Sequence, residues 1–234
     1  MKLTILDPGH FHAALVQKKM YPEIDPVVHV YAPDGPELLD YLQRVEGYNR
    51  RADNPTAWRM QVVSGPDFLE RFIAEKSDAG DVVVIAGNNR RKTEYITRAV
   101  AAGFQVLADK PMAIDAAGFT SLEKAFALAR EKNVLLYDIM TERHEITTML
   151  QKAFSTIPSV FGELTQGTAD DPAVAKQSVH YISKLVSGTP IKRPAWFFDV
   201  AQQGEALTDV GTHVVDLVQW MLAPGQAIDY RKDI

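Results

Sequence analysis

Short β-branched runs alternate with helix-patterned stretches over the first two-thirds of the chain, and this alternation constrains the fold more than any other feature. Strand-then-helix units of this kind cover both faces of a sheet, so the expected class is α/β with a doubly wound parallel sheet. Strands are expected over residues 3–6, 27–31, 61–63, 81–86, 105–108 and 134–137. The run Val82-Val83-Val84-Ile85 shows no polar alternation, which suits a central strand buried on both faces. Helices are expected from residue 13 and over 37–45, 67–76, 93–102, 116–132 and 142–154, with Gly103 closing the fourth in a left-handed turn. The polar residues 46–58 read as an inserted loop on the side where such sheets bind ligands. Past Pro158 the texture becomes rich in Gly, Asp and Pro, with a strand-like run over 160–165 and an amphipathic helix over 212–222. A boundary near Ser155 divides the chain into 1–154 and 155–234.

Composition narrows the chemistry. With 46% hydrophobic residues in a chain of 234, ordinary cores can form without staples. A formal net charge of -5 excludes a broad basic face, so neither nucleic acid nor an anionic membrane is an expected partner; a small molecule is. The chain has no cysteine, which removes disulfides, thiolate nucleophiles and cysteine-bound metals. No run approaches the roughly twenty apolar residues of a membrane span, and Met1-Lys2 leads straight into a strand, so the expected location is cytoplasmic.

Ligands of open parallel sheets bind outside the carboxyl ends of the strands, and the first strand-to-helix turn commonly cradles a pyrophosphate. Here that turn reads Asp7-Pro8-Gly9-His10-Phe11-His12. It keeps only the middle glycine of a G-x-G-x-x-G loop, with Asp7 and His12 where the outer glycines would stand. Asp34, after the second strand, is the candidate to meet a ribose hydroxyl. Gly87, Asn88 and Asn89 end the buried strand with side chains that allow close approach of a nucleotide, although a plain turn would look the same. Asp109-Lys110-Pro111 delivers a lysine to the sheet edge. Asp209 and His213 lie four apart at a helix entry, so a carboxylate and an imidazole share one face, as a proton-transfer pair or as a cap and a core histidine. His10 and His12 form an H-x-H pair without an identifiable third ligand, and no metal is assigned.

Together these segments resemble the Gfo/Idh/MocA family of oxidoreductases, on three features over nearly the whole chain: the opening turn at Gly9, Asp109-Lys110-Pro111 similar to the family's Glu-Lys-Pro, and Asp209-x-Gly211-x-His213-x-x-Asp216. Trp196, Asp199 and Gly204 resemble the run that precedes this helix in many members. The resemblance implies a Rossmann-type domain over 1–154 that binds NAD or NADP, contacted by Gly9, His10, Phe11, His12, Asp34, Gly87, Asn88, Asn89, Asp109 and Lys110. It also implies the incomplete start of an α+β substrate domain over 155–234, because members continue into a large antiparallel sheet whereas this chain reaches only Ile234. Carried over, Lys110 orients the substrate hydroxyl, His213 takes its proton and Asp209 holds the imidazole or a neighbouring hydroxyl, with Asp199 also facing substrate.

The implied activity is NAD(P)-dependent hydride transfer at a hydroxyl of a sugar, sugar derivative or polyol, by a homo-oligomer in the full-length form. Two alternatives keep the same residues: NAD-dependent glycoside cleavage by oxidation, elimination and reduction, and a nucleotide-binding module without turnover. The absent sheet would leave apolar residues around 160–164 and on the 212–222 helix uncovered.

Overall fold

The computed structural model describes residues 1–75, 78, 80–179, 183–223, 225–229 and 231–232. The expected helix end at Lys76 and the terminal Ile234 lie outside the described residues. By its internal contacts the chain divides into two compact units, Met1–Ile139 with Ile182–Glu205, and Met140–Tyr181 with Ala206–Ile234. Residues 183–205, read from the sequence as part of a region starting at 155, thus pack with the first unit.

The first unit is a six-stranded parallel sheet. In chain order it contains β1 (Leu3–Leu6), α1 (His12–Leu15), β2 (Val27–Ala32), α2 (Pro36–Arg50), β3 (Arg59–Ser64), α3 (Phe68–Ala74), β4 (Val82–Ile85), α4 (Asn89–Ala101), β5 (Gln105–Ala108), α5 (Ala116–Lys132) and β6 (Leu136–Asp138). The strand order β3-β2-β1-β4-β5-β6 reverses direction between β1 and β4, and the register pairs Leu6 with Tyr31 on one side and with Ile85 on the other. Two apolar layers cover the sheet. One packs Phe72, Tyr95, Ile96 and Ala125 against Leu6, Val83 and Ile85; the other packs Ala13, Tyr41, Val45 and Trp58 against Ile5, Val30 and Val84. Adjacent strand residues feed opposite layers, as a pleated strand buried on both faces must.

Helix boundaries follow local chemistry. Asn88 caps α4 by accepting from the Arg90 amide, so the helix begins at Asn89, four residues earlier than its apolar pattern suggests. Asp115 caps α5 through the Gly118 amide. The expectation for 46–58 needs correcting. Glu46 to Arg50 extend α2, and the loop that follows joins the end of α2 to the start of β3, which puts it at the amino-terminal edge of the sheet, opposite the ligand side. It is pinned there: the Trp58 indole donates to the Gln17 carbonyl at 2.7 Å, and the Asn49 side chain holds Thr56 and Trp58.

Beyond β6 the second unit begins with a 3-10 turn over Glu142–His144, α6 (Ile146–Ser155) and α7 (Pro158–Phe161). The single helix expected over 142–154 is therefore interrupted, because Glu145 is extended. The strand expected over 160–165 is not formed. Pro158 starts α7 at a position where its fixed φ suits a helix, Gly162 ends it at φ 76, and among the described residues no strand pairs with this run. Val160, Phe161 and Leu164 are exposed. The chain then contributes to the first unit a small hairpin, β7 (Leu185–Val186) and β8 (Thr189–Pro190), a 3-10 turn over Ala195–Phe198 and α8 (Val200–Gln203). A π turn over Leu207–Gly211 leads into α9 (Thr212–Leu222) and completes the second unit. No described helix is long and apolar enough to cross a membrane.

Candidate functional site

The order reversal between β1 and β4 opens a crevice at the carboxyl edge of the sheet, where open α/β folds bind ligands. Two clefts of about 210 and 270 Å³ lie there and share Pro8, Gly9 and Glu37 in their walls. Ala32, Pro33, Asn88 and Arg91 line the first, so it runs past the ends of β2, β1 and β4. Gly9 lets the turn lie close to the Trp196 ring, which a Cβ at this position would approach to 3.2 Å and press back slightly. Asp7, at the place of the first loop glycine, adopts a left-handed φ of 49. Its carboxyl reaches toward the β4 turn, where it accepts from the Asn88 amide at 3.3 Å, and Asp7 lines the first cleft beside Asn88 and Arg91. A Cβ at Gly87 would collide with it at 2.2 Å, which explains the glycine there. Burial raises the Asp7 pKa against the opposing pull of the Asn88 amide, so this carboxyl gives up its proton less readily than an ordinary one.

Other nucleotide candidates are placed less directly. Asp34 is exposed, and Glu37 rather than Asp34 lines the cleft beyond β2. Asn88 and Asn89 are occupied with α8: Asn88 donates to the Gln202 side chain at 2.9 Å, and Asn89 to the Gln203 carbonyl at 2.9 Å. Asp199 is exposed and caps α8 through the Ala201 amide.

Across the crevice, β5 delivers Asp109 and Lys110, both buried. His10 Nδ1 lies 2.7 Å from one Asp109 oxygen and His12 Nδ1 2.9 Å from the other. An ionised carboxylate can only accept, so each imidazole donates to it from Nδ1. Burial opposes the charge on Asp109, but His12 and His10 outweigh it and hold the carboxyl well below the usual range. Burial, then the neighbouring His12, pushes His10 down to about 3, which leaves it neutral at physiological pH. The structure thereby supplies a third metal-type ligand, Asp109, that sequence spacing alone did not reveal; the donor atoms of the three residues lie within 4.8 Å of one another. Their Nδ1 atoms sit at direct hydrogen-bond distances from the carboxylate, and Arg193 Nη1 stands 3.4 Å from His10 Nε2. The arrangement is a hydrogen-bonded clamp tying the first turn to the segment that carries Lys110.

In the second unit, the π turn carries Asp209 into α9, and both Asp209 and His213 are buried. A Cβ at Gly211 would meet the tip of the exposed Leu207 side chain at 2.7 Å, which could swing aside. Glu142, which sequence reasoning passed over, places a carboxylate oxygen 3.4 Å from His213 Nδ1. Arg143 beside it donates from Nε to Asp216 at 2.8 Å, fixing the 3-10 turn against α9. Glu142 lies 71 residues before His213, so no local pattern marks the pair.

Residues 26–139 match the family model described as "Oxidoreductase family, NAD-binding Rossmann fold", and residues 150–234 match "Putative oxidoreductase C terminal domain". The chain belongs to the Gfo/Idh/MocA oxidoreductase family. The matched segment 26–139 lies within the first unit, and the family domain it matches is an NAD-binding one. Among solved structures, this Gfo/Idh/MocA chain is 56% identical to a "putative oxidoreductase" from Parabacteroides merdae ATCC 43184, with a TM-score of 0.91 over 99% of this chain and 52% of that one. The fold is shared, at 18% identity, with GenD2 from gentamicin A biosynthesis in complex with NAD (TM-score 0.61, 95% of this chain and 54% of that one) and with levoglucosan dehydrogenase in complex with NADH (TM-score 0.55, 94% and 53%). The chain spans about half the length of these relatives. No curated protein matches it.

The residues of this Gfo/Idh/MocA chain fit a dinucleotide. Gly9 keeps the first turn thin, burial raises the pKa of the Asp7 carboxyl that lines the cleft and so disfavours its negative charge there, and the clefts extend from the end of β2 across β1 to β4. Gly9, Pro33, Glu37, Asn88 and Arg91 are the residues in place to hold it.

Proposed function

We propose that this chain is the cofactor-binding part of an NAD(P)-dependent oxidoreductase acting on a hydroxyl of a sugar, sugar derivative or polyol. The observation that carries this reading is Lys110. It is a buried lysine at the end of β5, next to a carboxylate clamped to the first turn, and the motif resemblance implies that it works with Asp209 and His213.

Bound nicotinamide would supply the hydride acceptor that no side chain provides. The ammonium of Lys110 orients the hydroxyl and lowers the cost of its developing negative charge. His213 takes the hydroxyl proton, and the Glu142 carboxylate 3.4 Å from its Nδ1 favours the imidazolium that forms. Asp209 holds the imidazole or a neighbouring substrate hydroxyl. A positioned base of this kind accounts for roughly 10²–10⁴ in rate.

Calorimetric titration with NAD, NADH, NADP and NADPH tests the first half of the proposal, and saturable binding of one pair is expected. The second half is tested by following reduced cofactor across a panel of sugars and polyols. Cofactor binding with no turnover over the panel would overturn the oxidoreductase reading in favour of a binding module.

A further inference from the structure

The first turn of this chain is short of the usual means of holding a pyrophosphate. Gly9 is the only glycine among residues 7–12, and α1 behind it has four residues, too short to aim an appreciable dipole at an anion. Positive charge arrives instead from far along the chain. Lys192 and Arg193 line the 270 Å³ cleft together with Pro8, Gly9 and His10. The Arg193 guanidinium lies 4.3 Å from the centre of the Phe197 ring and 5.8 Å from that of Phe11, and the Lys184 ammonium 5.7 Å from Phe11. Neutral His10 accepts from Arg193 rather than repelling it, with Nη1 to Nε2 at 3.4 Å.

This segment is anchored on both sides. Buried Arg44, paired with Asp40, donates to the Pro190 carbonyl at 3.1 Å, and Ile191 is buried. On the other side Asn88 and Asn89 hold Gln202 and Gln203, and Gly204 packs where a Cβ would meet Ile114 at 2.8 Å. An arginine stacked on an aromatic ring in a pinned strap has lost much of its freedom before any ligand arrives, and its planar fork matches two phosphate oxygens at once.

We infer that Arg193, assisted by Lys192, is the pyrophosphate-binding group of the cofactor site and does the work of the glycines missing from the first turn. The inference rests on the dinucleotide reading above. It makes residues 183–205, outside the matched Rossmann segment 26–139, part of the cofactor site.

The test compares wild type, Arg193→Ala, Arg193→Gln and Arg193→Lys for binding of NADH, ADP-ribose and adenosine by calorimetry, with energy transfer from tryptophan to NADH as a second readout. Loss of one charge-assisted contact weakens NADH and ADP-ribose about 10- to 100-fold in Arg193→Ala and Arg193→Gln, while adenosine, which lacks phosphate, binds as before. Arg193→Lys recovers part of the affinity, because it keeps the charge and loses the fork. Unchanged ADP-ribose affinity in folded Arg193→Ala or Arg193→Gln overturns the inference. So does an equal loss of adenosine, which would mark Arg193 as structural only. If wild type binds none of the three, the dinucleotide reading itself fails and this inference with it, an outcome distinguishable from the others because the unaltered protein is already silent.

Discussion

His10 and His12 share a carboxylate whose side chain is 1% exposed, at 2.7 and 2.9 Å, whereas His213 faces one that is 35% exposed, at 3.4 Å. The chemistry is the same and the environments are opposite. In the first unit the charge on Asp109 is compensated by two N–H donors inside the protein, so the geometry is stiff and His10 stays neutral over the physiological range. The Glu142 pair in the second unit is looser and its carboxylate reaches water, which suits the proton transfer proposed for His213. The fully buried group is the stiffer of the two, and the proposed function gives the proton-transfer role to the half-open one.

The largest test of that contrast is His213→Ala. Turnover is expected to fall about 10²–10⁴-fold with NADH affinity within roughly threefold of wild type, and Lys110→Ala should do the same. Wild-type rates in either variant, measured as cofactor reduction, would remove the assignment. Next in size is Asp109→Ala, which strips the acceptor from two buried imidazole N–H groups and, at about 1–3 kcal/mol for each, should cost about 2–5 kcal/mol in denaturant unfolding. Glu142→Ala, with its carboxylate partly in water, should cost under about 1 kcal/mol. Similar losses in the two variants would erase the distinction between the groupings.

Stability against pH probes the same point. His10 has a folded pKa of about 3 against an ordinary value of 6.5, so the unfolded chain takes the proton first. The stability tied to neutral His10 is full above pH 6.5 and drains as the pH falls toward 3. Asp109, also depressed, adds its own loss at the acid end of that range. His10→Asn should flatten the upper part of the slope, and an unchanged slope would show that the clamp does not hold His10 neutral. A smaller effect is expected from Glu142→Gln, about a tenfold drop in kcat with KM for NAD unchanged, since only the orientation of His213 is disturbed. Asp7→Asn is the mildest. Burial raises the Asp7 pKa, so ionising it at neutral pH costs the folded state; the amide should raise Tm by about 2–4 °C at pH 7. That gain should vanish in acid, where wild-type Asp7 is protonated, and its persistence there would mean burial is not the cause.

Legibility tracked distance along the chain. The limits of β5, α5 and α9 coincide with those expected from pattern alone, because strand alternation and helical periodicity are set by neighbouring residues. The run over 160–165 misled for a related reason. Its residues suit a strand, but a strand needs a partner, and among the described residues none pairs with it while Pro158 favours a helical turn. The 46–58 segment was recognisable as an irregular insertion in part, yet the edge of the sheet on which it falls follows from the direction of α2. Within the site, Gly9, Lys110 and His213 were visible as motif residues. Asp109 as the shared acceptor of His10 and His12, Glu142 against His213, and Arg193 beside the first turn were not, being separated from their partners by 97, 71 and 183 residues.

By itself, then, the sequence determined the class of fold, the family and the order of the cofactor and proton-transfer motifs, because these are written in short-range periodicity and spacing. Only the tertiary structure decided which groups share protons, that the Asp7 carboxyl is held by the Asn88 amide, and that a strap from residues 183–205 lies on the first turn. Those are contacts between distant residues, and their energies depend on burial and on distances of a few ångströms that no local pattern encodes.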